Sequence, residues 1–156
     1  MYLPPPPSFP SLLSGCADVI VALIAGGADV NKIRTSGSSP VYTASKHGHA
    51  AAVQALIRGG ADVNREKVTL KTTPLYIACK RGHVEVVRAL LRARNVDVNK
   101  AQRGGATPVL TASHYGHVGC IELLVEVRRR ERERERERKR GRETPVLRVC
   151  MMVTSV

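Results

Sequence analysis

Tryptophan is absent from this chain of 156 residues, and aromatic residues make up only 3% of it. With so little aromatic bulk, the core has to be built from Val, Leu, Ile and Ala. Acidic residues are also scarce: residues 1–127 hold 8, against 14 basic ones. Asp29, Asp62 and Asp97 recur in the same tripeptide, which leaves few carboxylates for other work. No Ser/His/Asp order, phosphate-binding glycine loop or paired carboxylate occurs, so an enzyme is not expected and no cofactor is called for. Cys16, Cys79, Cys120 and Cys150 contain no C-x-x-C pair, which argues against a zinc knuckle. A reduced, intracellular setting fits them, with cytoplasm and nucleus both open. No apolar run approaches the ~20 residues of a spanning helix, so membrane insertion is not expected. The apolar stretch from Cys16 to Ala28 has the look of a signal-peptide core, but Asp18 interrupts it and no Lys or Arg precedes Lys32.

What the chain does have is a beat. Asp29-Val30-Asn31, Asp62-Val63-Asn64 and Asp97-Val98-Asn99 are 33 and 35 residues apart. Pro40, Pro74 and Pro108 are 34 apart, as are Gly48, Gly82 and Gly116. Self-similarity at this period marks a stacked repeat array, which presents an extended surface more often than an enclosed reactive pocket.

The unit aligns column by column from its turn glycine, taken as Gly15, Gly48, Gly82 and Gly116. The fifth residue on is Ile20, Val53, Val87 or Ile121; the eighth is Leu23, Leu56, Leu90 or Leu124; the ninth is Ile24, Ile57, Leu91 or Val125. These offsets are i, i+3 and i+4, the apolar stripe of an amphipathic helix. Val21, Gln54, Arg88 and Glu122 fall on its outer face. A helix this short is marginal alone, and stacking neighbours would stabilise it by burying the stripe. A shorter helix precedes each glycine. Ser39, Thr73 and Thr107 stand as N-caps, the prolines suit the first turn, and Ala44, Ala78 and Ala112 allow close packing. The glycine that follows permits a left-handed turn.

These residues resemble the ankyrin repeat, whose unit reads T-P-L-H-x-A, then G-H, then an apolar helix, then G-A-D-V-N. The matching segments are Ser39-Pro40-Val41-Tyr42-Thr43-Ala44, Thr73-Pro74-Leu75-Tyr76-Ile77-Ala78 and Thr107-Pro108-Val109-Leu110-Thr111-Ala112. Gly48-His49, Gly82-His83 and Gly116-His117 keep the same register, so the resemblance covers about residues 14–127. It implies an all-α solenoid of helix-turn-helix units joined by short hairpin-like connections. The organisation expected is a Pro-rich leader (1–10), a partial repeat (11–32), repeats at 33–65, 66–100 and 101–127, an Arg/Glu tract (128–143) and a tail (144–156). Departures are visible. Tyr42, Tyr76 and Leu110 replace the family's histidine, so its hydrogen bond is absent or replaced; Lys71 stands where a turn glycine is expected; the connection before Asp97 is one residue longer. The first unit, with Pro7 in phase and Pro10 after it, has a degraded first helix. Ends of this kind suggest marginal stability or a piece of a longer array.

The net charge of +12 divides into +6 from residues 1–127, +5 from 10 basic and 5 acidic residues in 128–143, and Arg148. Such an excess favours acidic peptides, nucleic acid or anionic membrane. The tract RRRERERERERKRGRE has three readings: a solvated helical spacer, a nuclear-import cluster at Lys139, Arg140 and Arg142, or a contact to RNA, the last weakened by the lack of interleaved aromatics. Thr144-Pro145-Val146-Leu147 repeats Thr107-Pro108-Val109-Leu110, which suggests an abortive fifth unit. Leu3-Pro4-Pro5-Pro6-Pro7 fits a proline-reading groove, and the terminus, with Thr154 and Val156, fits a PDZ ligand. His114, His117 and Cys120 have metal-like spacing, but Gly116 turns the chain among them and His117 belongs to the repeat, so no metal is assigned. Cys79 and Cys120 fall at small core columns.

By the resemblance, partner contacts come from hairpin tips and the exposed side of each first helix. The 18 matching positions, six in each of three repeats, carry five Lys/Arg and no Asp or Glu. They include Arg34, Ser36, Ser38, Lys46 and His47; Thr69, Leu70, Thr72, Lys80 and Arg81; and Arg103, His114 and Tyr115. The expectation is a non-catalytic protein–protein module whose basic concave face takes an acidic segment. Nucleic-acid binding by residues 128–143 is the alternative, as is a non-functional fragment of a larger ankyrin protein.

Overall fold

The computed structural model describes residues 11–93 and 95–153, with the side chains of residues 11–16 and 141–153 outside that description. The chain divides into two units, one running to Ile121 and the other beginning at Glu122. Among the described residues there are seven α-helices and no strand: α1 (Ser11–Ala25), α2 (Pro40–His47), α3 (Ala50–Arg58), α4 (Pro74–Arg81), α5 (Val84–Leu91), α6 (Pro108–His114) and α7 (Val118–Val153). This is an all-α repeat solenoid.

Local chemistry sets the helix ends. Ser39 Oγ, Thr73 Oγ1 and Thr107 Oγ1 accept the amides of Tyr42, Tyr76 and Leu110 at 3.2, 3.1 and 3.4 Å, each satisfying an orphan donor of the first turn. Proline opens all three helices, where its missing N–H costs nothing. Gly48, Gly82 and Gly116 then turn the chain with φ of 80°, 71° and 71°.

Stacking makes the core of the first unit. First helices pack in series, α2 on α4 and α4 on α6; second helices do likewise, α1 on α3 and α3 on α5. Val53, Val87, Leu56 and Leu90 from the predicted stripe are buried, together with Val41, Leu75, Val63 and the alanine column Ala44, Ala78 and Ala112. Each fully buried Leu or Val of this kind contributes about 1.5–3 kcal/mol.

A polar ladder ties the connections together. Asp29, Asp62 and Asp97 each accept, through Oδ1, the amide of the asparagine two residues on, at 2.8–2.9 Å. Asn31 Oδ1 accepts the Asp62 amide and Asn64 Oδ1 the Asp97 amide, both at 2.8 Å. Their Nδ2 groups donate to the carbonyls of Gly60 and Asn95. The ladder therefore survives the extra residue before Asp97.

Several expectations are corrected. Gly15 is not a turn glycine: α1 runs helically through it. Leu23, predicted in the buried stripe, is 58% exposed, and Val125 is exposed as well. α7 continues through residues 144–147, so the backbone there does not start a fifth repeat. In the second unit, Glu126 pairs with Arg129 at 3.3 Å and Arg130 at 2.9 Å. The proline leader, the tail residues Thr154 and Val156, and the Arg142 side chain lie outside the described residues.

Candidate functional site

The hairpin tips come together through their backbones. Val68 N donates to Gly37 O at 3.2 Å, and Arg103 N donates to Leu70 O at 3.4 Å, so the three tips form one edge. In the middle tip Lys67 bridges Thr72, donating to its carbonyl at 2.9 Å. Lys71 closes that tip with φ 48°, the one left-handed non-glycine among the described residues; Gly37 and Gly105 hold the same place in the neighbouring tips.

This edge and the ends of α2, α4 and α6 position the residues singled out from the sequence. Arg34, Ser36, Thr69, Leu70, Arg103, His47, Lys80, Arg81, His114 and Tyr115 are exposed, and Lys46 is half-buried. Ser38 and Thr72 depart from expectation: both are buried, so they serve the core rather than a contact surface. Thr72 Oγ1 donates to Tyr42 Oη at 3.2 Å, so in the first full repeat the family histidine's bond is replaced by a bond between tyrosine and the next repeat's threonine.

In two of the three Gly-His pairs the histidine is structural. His83 Nε2 pairs with Lys46 O at 3.2 Å, and His117 Nε2 with Lys80 O at 3.3 Å. These bonds fix the backbone that carries Lys46 and Lys80. Beside them, the Lys80 ammonium lies 5.8 Å from the Tyr115 ring centroid, within reach of the ring's negative face. His114 meets that ring edge-on at 5.0 Å, and His117 stacks near it at 6.3 Å. A pocket of about 270 Å³ lined by Tyr76, Gln102, Ala106, Leu110, Thr111, His114 and Tyr115 adjoins this cluster.

Sequence reasoning missed Leu110 as part of this surface. It occupies the column in which Tyr42 and Tyr76 are buried, yet it is 61% exposed. The signal was available: Leu110 belongs to the last of the three matched segments.

Among the described residues, no group of three His, Cys, Asp or Glu side chains is placed to hold a metal. Cys79 and Cys120 are both buried. A hydrogen bond to Cys120, then burial, push the Cys79 thiol well above the ordinary thiol range. No described helix is long and apolar enough to cross a membrane.

A family model for ankyrin repeats, in three copies, matches residues 11–102 and residues 53–135. No curated protein matches the chain.

Proposed function

This chain belongs to the ankyrin-repeat family, and from that premise we propose that it is a non-catalytic protein-binding module whose hairpin-and-helix face takes an acidic segment of a partner. Repeats of this family generally serve protein–protein interaction. The observation that carries the finer reading is the composition of one continuous face. Of the 18 positions assigned to it, Arg34, Lys46, Lys80, Arg81 and Arg103 supply positive charge and none is acidic. Leu70 and Tyr115, about half exposed, supply apolar anchors. Charge of this kind steers encounter and selects partners, while a few apolar or aromatic anchors dominate affinity.

The test is fluorescence anisotropy of a labelled Glu/Asp-rich peptide carrying one Leu and one Tyr, beside a Lys-substituted control. The wild-type chain should bind the acidic peptide and not the control. Lys80→Glu with Arg81→Glu should weaken binding on the order of tenfold or more. Equal affinity for both peptides would refute the reading.

A second reading has its own observation. On α7, Arg128, Arg132, Arg136 and Arg140 follow one another at i, i+4 spacing, a basic row suited to phosphates. Nucleic acid would then be bound by residues 128–143, with Lys139, Arg140 and Arg142 serving nuclear import. A chain ending at Val127 separates the two: loss of RNA binding with peptide binding intact would assign the tract its own role, and retention of RNA binding would remove it.

A further inference from the structure

His49 is the third member of a set in which the other two are engaged. It follows Gly48 and caps α3, as His83 follows Gly82 and caps α5. The rings of His83 and His117 each reach the carbonyl two residues before the turn glycine of the preceding repeat. Among the described residues His49 has no such partner; its ring stands beside that of His47, at 6.2 Å.

In front of His49 lies a groove of about 640 Å³ with a wall of Val19, Ile20, Pro40, Ala44, Ala52 and Leu56. Its position in the stack is defined. α1 takes the second-helix place before α3, and no described residue takes the first-helix place before α2. Because α1 is helical through Gly15, residues 11–15 do not fold back into it. Val19 is 59% exposed beside this groove. Arg34 stands at the hairpin end of the groove and His47 at the other, and no acidic residue among those described lines it.

We propose that this groove receives a two-turn amphipathic helix from a partner protein, lying as α2 lies on α4. The eight residues of α2 and of α4 set its length. An apolar stripe with a small residue against Ala44 fits the wall. Acidic residues in its first turn meet Arg34, where they also complement the helix dipole. Its last carbonyls, orphaned at any helix end, meet the His49 ring. This site lies beside α1, beyond the face proposed above, and shares only Arg34 and His47 with it.

The test uses the full chain, isotope-labelled, titrated with a hydrocarbon-stapled peptide bearing a Leu/Ala stripe and Glu in its first turn. A scrambled peptide is the control. Saturable shifts are expected at Val19, Ala44 and the His49 imidazole, and none at the His83 or His117 rings. Val19→Asp, at an exposed position, should weaken binding about tenfold or more with an unchanged thermal melt. His49→Ala should weaken it roughly threefold to tenfold. Lys80→Glu with Arg81→Glu should leave it unaltered, which separates this site from the basic face. Equal binding of the scrambled peptide, or shifts at Lys80 and Arg81 instead, would overturn the proposal. So would two other occupants. Deleting residues 1–10 would reveal the chain's own leader by shifting the groove resonances without peptide. A dimer lost in Val19→Asp would reveal a second copy.

Discussion

Gly82 and Gly116 offer a controlled comparison, because both turn the chain at φ 71° but meet different neighbours. A Cβ at Gly82 would lie 2.6 Å from Nδ1 and 2.7 Å from Cε1 of His117. A Cβ at Gly116 would meet nothing within 4 Å. Alanine at either site costs about 1–2 kcal/mol for the left-handed backbone, partly offset by the stiffer unfolded chain. Gly82→Ala must in addition displace the His117 ring, which loses its bond to Lys80 O. Overpacking together with one lost hydrogen bond adds about 2 kcal/mol. Gly48→Ala should fall between the two, since His83 Cε1 would be 3.0 Å away. Urea unfolding followed by far-UV circular dichroism measures this. A gap of ~2 kcal/mol separates the midpoints of Gly82→Ala and Gly116→Ala by roughly 1 M. His117→Ala in the Gly82→Ala background should recover most of the extra loss, a coupling that a double-mutant cycle reads directly. Equal losses at Gly82 and Gly116, or no coupling to His117, would refute the claim that the Gly-His contact clamps one repeat to the next.

Other consequences follow from single residues. Lys71→Gly should raise stability by about 0.5–1 kcal/mol in the same urea titration, because it relieves a left-handed lysine in a turn where Gly37 and Gly105 serve the other repeats; a loss would mean the lysine side chain contributes more than its backbone costs. Ser45 Oγ is buried with no hydrogen-bond partner among the described residues, so Ser45→Ala should gain about 1 kcal/mol by thermal melting. Cys79 and Cys120 are buried, so in a Cys16→Ser/Cys150→Ser variant Ellman's reagent should react only as fast as the array opens, and immediate reaction would contradict their placement.

The repeats were legible because each local signal agreed with the next. Ser39, Thr73 and Thr107 mark the caps, the prolines the first turns, and the glycines the left-handed turns, all in one phase. Their agreement is what a one-dimensional array needs, since every unit contacts only its neighbours. The first unit defeated this reading. Gly15 kept the phase, but the helix of α1 continues through it, and the stripe residue Leu23 is exposed. A column predicts burial only where something stands on its other side. Contacts between repeats were also hidden: nothing in Tyr42 and Thr72, separated by 30 residues, announces a shared hydrogen bond. The proposed binding face was legible as composition. Its geometry was not, because the pairing of tips at Gly37 with Val68 and Leu70 with Arg103 arises only when the units stack.

The central claim is that the repeat face recognises its partner through positive charge. The affinity of the full chain for the acidic peptide, measured at ~0.01 M and ~0.15 M ionic strength, tests it most directly, since the screening length shrinks from about 30 Å to about 8 Å across that range. The account predicts a fall of about tenfold or more, carried largely by the association rate and absent in the Lys80→Glu/Arg81→Glu variant. An affinity that stays the same at both ionic strengths would contradict it.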